Sequence, residues 1–434
     1  MNHVLKEVDL LSLSYSTTGH PICKCSAHKR KDFVVGLGSV LEEATGNDRL
    51  LSLAFNIWTK KTFDISFSNR ELNSFNVSEV KKAIRVDRRW WQWWSISSVF
   101  FFDCYALASL IDVKFVDNIH KCLLSLCNYK EKKIEEEVYN AFKSNSIYDN
   151  ELLNSFQRQH YSLNNSFLER PLYKILFVAT VSAGKSTLIN AICGHNVCKA
   201  MNMACTKQVR NVFNTVIDDG EILAKKEMEL VSLNDNINYE SENFESVGVH
   251  FNSHLSECRI CLIDTPGVNN AKELNHMKIT EDAIKNENYD VVIFVSNACY
   301  NGSTDERNVL ELLIKNAKRP IIFVLNWLDD SNPKQDSISQ MLKNYKNEIE
   351  VCGLNNSIII PISAKAAFLA KTIDKHDDED SFEYSQICKR FAKDYYNLPA
   401  YLGVGNTVKN VLDYSGVPLL ERTILNIINK QNTR

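Results

Sequence analysis

The stretch of sequence that decides the fold of this chain is Ala179-Thr180-Val181-Ser182-Ala183-Gly184-Lys185-Ser186-Thr187. A strand-like run, Lys174–Thr180, leads into it, and a helix-like run, Leu188–Cys193, follows it. A Gly-Lys-Ser tripeptide also occurs by chance in turns, but a strand before it and a helix after it are the context of a phosphate-binding loop. The sequence therefore predicts that backbone N–H groups of the loop and of the helix N-terminus bind phosphate groups.

Two side chains of this loop have predicted roles. We expect the ammonium of Lys185 to contact the β and γ phosphates of a nucleotide, and the Ser186 hydroxyl to bind Mg²⁺. The usual pattern begins with glycine, whereas Ala179 stands at that position here. Because alanine adds only a methyl group, we expect a slightly narrower loop that still binds phosphate.

Four further apolar runs follow along the chain, each dense in Ile, Val, Leu or Phe, namely Arg259–Asp264, Asp290–Val295, Pro320–Asn326 and Ser357–Ile362. Continuous apolar runs of this length are typical of strands that are buried on both faces of a parallel sheet. Their alternation with helical segments predicts a doubly wound, mostly parallel α/β sheet. Ligands of such sheets bind at the carboxyl ends of the strands, where the motifs of this chain also lie.

The first third of the chain has a different pattern. Ile134, Val138 and Ala141 recur at helical spacing among lysines and glutamates. We predict a separate, mainly α-helical domain over residues 1–165 and the α/β domain over residues 166–434. Within the first domain the predicted helical segments are Asp32–Trp58 with a break around Gly46, Tyr105–Ser144 as one or two helices, and Asn150–Leu168.

A second motif, Asp264-Thr265-Pro266-Gly267, follows one of the strand-like runs. Asp264 is expected to hold a magnesium-bound water, and the Gly267 N–H to contact a γ-phosphate at close range because glycine has no Cβ. Thr206 lies between the two motifs along the chain, and a loop threonine there is expected to complete the Mg²⁺ shell. The alternative for the Asp-Thr-Pro-Gly motif is a plain turn after a strand.

The third and fourth motifs concern the nucleobase. Asp329 ends the motif Asn326-Trp327-Leu328-Asp329. When ionised, its carboxylate accepts hydrogen bonds and donates none. It is therefore suited to guanine N1–H and N2–H₂, which favours GTP over ATP. Trp327 stands where lysine is usual and is expected to cover the base or the ribose. The motif after the next run, Ser363-Ala364-Lys365, is expected to contact the guanine carbonyl through its backbone and the base through its lysine.

Composition limits the other possibilities. A net charge of -3 gives no reason to expect nucleic acid as a partner. The 13 scattered cysteines and the absence of a cleavage site after Met1–Leu13 predict a cytoplasmic protein. His20, Cys23, Cys25 and His28 offer zinc-binding atoms, but Cys-x-Cys is tighter than the usual spacing, so a polar loop is favoured. The acidic run Asp377–Asp380 is expected to be a solvated loop.

One segment leaves several alternatives open. Trp90–Ile111 is long enough to span a bilayer, but a central Asp103 argues against insertion and favours a buried helix or a surface anchor. The basic side chains before it and its tryptophans suit a membrane surface, a partner interface or core packing. These residues are Lys81, Lys82, Arg85, Arg88, Arg89, Trp90, Trp91, Trp93 and Trp94.

With these pieces in place, the sequence resembles the bacterial dynamin-like GTPases over about residues 170–430. The resemblance rests on Val181–Ile192, Ala204-Cys205-Thr206, Asp264–Asn270, the two base motifs and Tyr414–Leu419. It implies binding of GTP with Mg²⁺, hydrolysis, and nucleotide-dependent assembly as a homodimer or with a second dynamin-like protein, often with peripheral contact to the inner membrane. Larger members continue into a helical stalk, and this sequence ends shortly after a helix expected at Leu419–Ile428.

The resemblance also implies catalytic roles. Lys185, Thr206 and Gly267 match its nucleotide contacts, and Ser182 stands where the family uses a loop serine close to the β–γ bridge. Val181 stands where eukaryotic members often have a catalytic glutamine, and no glutamine follows Gly267. We therefore expect slow turnover unless dimerisation or a partner raises it. The alternatives are a nucleotide-gated binding or scaffold module with little turnover, and a structural protein that assembles on membranes through its tryptophans.

Overall fold

The computed structural model describes residues 6–15, 19–46, 48–63, 76–85, 96–148, 150, 153–198, 209–220, 222–226, 229–233, 244–268, 274–286, 288–299, 303–330, 337–355, 357–392 and 410–432. Thr206 and the predicted tryptophan cluster at 90–94 lie outside these residues, as do Arg88 and Arg89. The described chain forms two compact units, which divide between Arg170 and Pro171. Three residues of one strand, Glu229–Val231, group with the first unit.

The first unit is helical. Its α-helices are α1 (Ala27–Thr45), α2 (Arg49–Phe63), α3 (Val77–Ile84), α4 (Ile96–Ile111), α5 (Lys114–Leu124), α6 (Tyr129–Lys143) and α7 (Ser155–Glu169). Short 3₁₀ helices lie at Glu7–Ser12 and Pro21–Lys24. The break predicted around Gly46 is present, because Gly46 adopts a left-handed φ of 64° that ends α1. The predicted boundary after residue 165 falls inside α7, which continues to Glu169 before Pro171.

Helix α4 is the apolar core of this unit. Phe100, Phe101 and Tyr105 are completely buried along it. Asp103 is also buried, and it contacts the His20 ring with 3.1 Å between Oδ2 and Nε2. None of the helices formed by the described residues is both long and apolar enough to cross a membrane.

The metal-ligand alternative near the N-terminus finds no support in the described residues. His20 pairs with Asp103, and His28 lies beside Asp32 in α1. No group of three or more His, Cys, Asp or Glu side chains in the described ranges could hold a metal ion.

The second unit is an α/β sheet. Its strands are β1 (Tyr173–Ala179), β2 (Arg210–Asn214), β3 (Ile222–Lys226), β4 (Glu229–Leu233), β5 (Ser246–Val249), β6 (Ile260–Asp264), β7 (Val291–Asn297), β8 (Ile321–Asn326) and β9 (Ile358–Pro361). Its helices are α8 (Lys185–Cys193), α9 (Leu274–Asn286), α10 (Thr304–Asn316), α11 (Ile338–Val351), α12 (Ala364–Lys371), α13 (Asp378–Phe391), α14 (Val411–Tyr414) and α15 (Val417–Asn432), with a 3₁₀ helix at Ile373–Lys375.

In the described part of the chain these strands form one sheet in the order β4-β3-β5-β2-β6-β1-β7-β8-β9. Parallel pairing joins β6, β1, β7, β8 and β9. Strand β2 pairs antiparallel with β6, and β3 pairs antiparallel with β5. The predicted doubly wound, mostly parallel α/β class is confirmed, and β1 lies at its centre with five completely buried residues.

The acidic run at Asp377–Asp380 was expected to be a loop, but it starts α13. Asp377 caps the helix, since its side chain accepts a hydrogen bond from the Asp380 N–H. Carboxylates in a first turn are stabilised by the positive end of the helix dipole, which explains why this acidic sequence folds as a helix.

Candidate functional site

The predicted phosphate loop connects the buried end of β1 to the first turn of α8. Gly184 precedes the helix with a φ of 83°, and a Cβ there would lie 2.3 Å from the Asn326 side-chain nitrogen. Ser182 also has a positive φ, of 62°. Successive turns of this kind direct backbone N–H groups toward one concave side, which is the geometry of an anion-binding nest. The loop therefore has the backbone shape that phosphate binding requires.

The Asp-Thr-Pro-Gly motif lies directly against this loop. Strand β6 is parallel to β1, with Asp264 in register with Phe177. The chain after β6 then pairs with the loop itself, since the Val181 N–H donates to the Val268 carbonyl at 3.2 Å. A Cβ on Gly267 would lie 3.2 Å from Val181 Cα, so these two motifs are in contact.

Lys185 and Asp264 form a buried ion pair at this junction. The Lys185 ammonium donates to Asp264 Oδ1, and the two side chains are 6% and 1% exposed. Asp264 Oδ2 is buried and has no hydrogen-bond partner among the residues that the structure describes. Burial, and then the charge of Asp264, raise the pKa of the Cys198 thiol to about 12, so the nearest thiol stays protonated.

These donors fit a magnesium ion. Mg²⁺ prefers oxygen ligands and usually keeps several of its waters. The free oxygen of Asp264 is suited to a magnesium-bound water, and the Ser186 hydroxyl lies in the first turn of α8, next to Lys185. Thr187 follows it in the same turn.

The base motifs are tied to the phosphate loop by one side chain. Asn326 Nδ2 donates to the Ala183 carbonyl at 3.0 Å, and Asn326 Oδ1 accepts from the Ala364 N–H at 2.9 Å. The amide thus connects the loop after β1 with the chain segments that follow β8 and β9. Because both ends of the amide are used, its orientation is fixed.

Asp329 is nearly buried and lies beside Ser363. The Ser363 hydroxyl donates to Asp329 Oδ1 at 2.6 Å, and Arg390 donates to the Asp329 backbone carbonyl. Burial raises the pKa of Asp329, while the hydrogen bond from Ser363 acts in the opposite direction.

Trp327 and Lys365 are the two large side chains of the predicted base motifs. Trp327 adopts a left-handed φ of 69°, and its indole nitrogen is 3.1 Å from the position of a Cβ on Gly184. Lys365 is about half exposed, and its ammonium lies 2.5 Å from Glu383 Oε1 in α13. The indole thus contacts the phosphate loop, whereas Lys365 is paired with a surface glutamate.

The structure brings the four described motifs together at the carboxyl ends of β1, β6, β8 and β9. It also adds residues that the sequence did not indicate, namely Arg390, Cys198 and Asn297, whose Nδ2 lies 3.4 Å from the Ser182 carbonyl. Asn297 ends β7, and its position at the carboxyl end of a central strand is the signal that would have found it. Arg390 comes from α13, far along the chain, and no local pattern marks it.

Comparison with known proteins agrees with this geometry. Residues 175–328 match the family model described as the Dynamin family. GTPase Era of Clostridium perfringens (strain ATCC 13124) is 31% identical over 110 residues, which are 25% of this chain and 34% of that protein. The chain thus spans about a third of the length of the curated relatives that it matches.

Two solved structures resemble parts of the fold. One is Era in complex with MgGDPNP and nucleotides 1506–1542 of 16S ribosomal RNA, with 22% identity, 47% of this chain and 56% of that chain covered, and a TM-score of 0.29. The other is an oligomerised bacterial dynamin pair, with 15% identity, 95% and 66% covered, and a TM-score of 0.35. The phosphate loop and the motifs that follow it thus lie largely within a segment, residues 175–328, that is similar to the Dynamin family.

Proposed function

We propose that this chain binds GTP with Mg²⁺, hydrolyses it slowly, and uses the nucleotide cycle to control self-association. The observation that carries the proposal is the convergence of Lys185 and Asp264 with the loop that Asn326 holds against the base motifs. These contacts support a site in which the Lys185 ammonium, the Asp264 carboxylate and the Asp329 carboxylate act on one nucleotide.

The phosphate end of the site has a division of roles. Backbone N–H groups of residues 180–184 bind the phosphates, with Ser182 closest to the β–γ bridge. Lys185 has three N–H donors, so it can hold Asp264 and a phosphate oxygen at the same time. When bound, the magnesium ion neutralises charge on the β and γ oxygens, and Ser186, Asp264 and Thr206 would hold it. Gly267 supplies a backbone N–H to the γ-phosphate.

The base end selects guanine. Asp329, in its ionised form, accepts from guanine N1–H and N2–H₂, while Ser363 orients the carboxylate. The Ala364 backbone is held by Asn326 and is suited to the guanine carbonyl. Trp327 lies over Gly184 and covers the base and ribose, with Thr180 and Thr187 completing the surroundings of the nucleotide.

Turnover is expected to be slow because apolar atoms face the place where a water would be oriented. Val181 Cγ2 lies 3.3 Å from the position of a Cβ on Gly267, and no side chain of these two residues can accept a proton. A water-orienting group must then come from another copy of the chain or from a partner.

The test is phosphate release from GTP at several protein concentrations, with and without Mg²⁺. We expect release that requires Mg²⁺, rises more steeply than protein concentration, and is lost in Lys185→Ala. A rate equal to that of the Lys185→Ala control at every concentration would contradict hydrolysis.

The second candidate is a nucleotide-gated binding module that retains GTP. The position of Trp327 over the phosphate loop favours it, because a bulky indole there slows release of a bound nucleotide. Stoichiometric GTP in the purified protein with no measurable turnover would support this candidate over the first.

Assembly is the remaining part of the proposal. We expect a homodimer, or a pair with a second dynamin-like protein, formed only with a transition-state mimic such as GDP–aluminium fluoride, and a peripheral contact with the inner membrane. Light scattering with and without the mimic tests the first point, and flotation with anionic vesicles tests the second. No nucleic acid is expected among the partners.

A further inference from the structure

A second candidate site lies wholly within the helical unit, whereas the nucleotide motifs belong to the second unit. It is a cleft that is partly open to solvent. Its walls come from the chain before α1, from α2, and from facing sides of α4 and α7.

The walls of the cleft are mainly apolar and aromatic. They include Trp58, Phe102, Leu107, Leu110 and Phe156. A molecule that binds there would bury its body against rings and leucine side chains, which favours an aromatic or aliphatic body.

One polar group of the lining has an unused acceptor whose orientation is fixed. Gln157 is 4% exposed, and its Nε2 donates to the Val99 carbonyl at 3.1 Å and to Asp103 Oδ1 at 2.5 Å. Turning the amide over would face its oxygen toward these two acceptors, so Oε1 must be the remaining atom. Gln157 Oε1 is buried and has no hydrogen-bond partner within the described residues.

A second acceptor lies one helical turn away. His160 Nε2 is buried and also lacks a partner in the described part of the chain. Burial, and then the nearby His20, lower the pKa of His160 to about 4, while a hydrogen bond with the Ser14 backbone raises it. At neutral pH the ring is therefore uncharged, and the free nitrogen accepts rather than donates.

The buried acid of the cleft, Asp103, is paired with the ring of His20. His20 Nδ1 accepts from the Ile22 N–H at 3.3 Å, so its proton lies on Nε2, which donates to Asp103 Oδ2 at 3.1 Å. Both ring nitrogens are thereby used, and the pair cannot serve as a general base. The Asp103 carboxylate is thus held by two neutral donors, His20 and Gln157.

We propose that this cleft binds a small molecule with an apolar body and a head that donates hydrogen bonds, an alcohol or an amine. The head donates to Gln157 Oε1 and His160 Nε2, and the body packs among Trp58, Phe102 and Phe156. Burying an acceptor without a hydrogen-bond partner costs free energy. A ligand that donates a hydrogen bond to this acceptor therefore binds more tightly than a hydrocarbon of the same shape. An anionic head is repelled by Asp103.

The test compares four probes of one shape on the full chain, by isothermal titration calorimetry and ligand-observed NMR. They are 2-phenylethanol, 2-phenylethylamine, ethylbenzene and phenylacetate. We expect the alcohol or the amine to bind saturably and at least about tenfold more tightly than ethylbenzene and phenylacetate, a difference of one hydrogen bond. Tighter binding of the amine would identify Asp103 as a contributor.

Two variants locate the binding. Gln157→Met keeps the length of the side chain but removes the acceptor, and Gln159→Met is the matched change at an exposed position of the same helix. We expect about tenfold weaker binding in the first and no change in the second. If circular dichroism shows that Gln157→Met is unfolded, Ala106→Leu, which fills the cleft, is expected to abolish binding.

Three results would overturn the proposal. One is the absence of saturable binding of both donor probes to the wild type, which would mean that the cleft holds water alone. Another is an affinity for phenylacetate that equals the affinity for the alcohol and the amine. The third is unchanged affinity in a folded Gln157→Met or Ala106→Leu variant.

Discussion

In the proposed site, Asp329 is the residue that selects the base. Ser363 donates to one of its oxygens, and we expect the carboxylate to accept the two N–H groups that guanine presents. Asp329→Asn replaces an acceptor with an N–H₂ donor, which opposes guanine N2–H₂ but pairs with the 2-oxo group of xanthine. We expect GTP affinity to fall roughly 10- to 100-fold, because a hydrogen bond to a charged group is lost. We expect XTP affinity to rise.

Fluorescent nucleotide titrations measure this change. ATP is the control nucleotide, because adenine lacks the N1–H and N2–H₂ groups that Asp329 is expected to bind. Unchanged GTP affinity in Asp329→Asn would show that the base does not contact this carboxylate.

The same residue predicts a pH dependence of binding. Burial raises the pKa of Asp329 above its ordinary value, and only the ionised form accepts both guanine N–H groups. GTP affinity should therefore be constant above this raised pKa and fall as pH decreases through it, at a higher pH than for an exposed aspartate. Affinity measured from pH 8 down to pH 4 checks the direction.

Ser363→Ala gives an independent check of that assignment. The Ser363 hydroxyl favours the charged carboxylate, so its removal should raise the pKa of Asp329 further and move the loss of affinity to higher pH. A shift to lower pH, or none, would assign the titration to another group.

At the scale of elements, the junction between β9 and α15 depends on a glycine. Gly416 has a φ of 76°, and a Cβ there would lie 2.3 Å from the Pro361 carbonyl oxygen. Gly416→Ala therefore adds a backbone clash to the cost of a left-handed alanine, and we expect a loss of about 2–4 kcal/mol in the free energy of unfolding.

Gly220→Ala is the matched control for this substitution. Gly220 has a similar φ of 71° but nothing within 4 Å of its Cβ position, so only the conformational cost of about 1–2 kcal/mol applies. Urea unfolding of both variants separates the two contributions. Equal losses would mean that β9 and α15 adjust freely to the methyl group.

The strands and helices also show which parts of the fold a sequence pattern can predict. All five strands expected from continuous apolar runs are present, because burial on both faces leaves a pattern that does not depend on partners. Strands β2 to β5 were not predicted, because runs such as Arg210–Asn214 mix polar and apolar residues and resemble loops. Tyr105–Ser144 holds parts of three helices rather than one or two, because its breaks at Asp112–Val113 and Ser125–Asn128 lack glycine and proline.

The site was predictable in its motifs and not in its contacts. Asp264 ends β6, Lys185 begins the helix after the loop that follows β1, and Asp329 comes shortly after β8. The sheet topology alone therefore predicts that the three lie at one edge. The pairing of Lys365 with Glu383 and the bond from Arg390 to Asp329 join distant segments through side-chain packing. Local periodicity carries no information about such contacts.

For the whole molecule, the two compact units predict a localised response to nucleotide. A ligand that binds only the folded second unit stabilises it by RT ln(1 + [L]/Kd), about 2.7 kcal/mol at a hundredfold excess over Kd. Hydrogen exchange with Mg²⁺ and a non-hydrolysable GTP analogue should therefore slow in peptides from β1–α8, β6, β8 and β9.

Peptides from α4 and α7 are the internal control, since their residues belong to the helical unit. Lys185→Ala should remove the protection in the second unit. Equal protection of both units in the wild type would show that nucleotide binding is transmitted through the entire chain.

Asn326 has a wider consequence for any attempt to dissect this domain by mutagenesis. Its amide donates to the Ala183 carbonyl of the predicted phosphate loop and accepts from the Ala364 N–H of the predicted base motif, so the spacing of these two segments is set by a single planar group. Replacing it with leucine would remove both the donor and the acceptor and release both segments together. Loss of binding in such a protein would not distinguish poor recognition of guanine from poor recognition of phosphate.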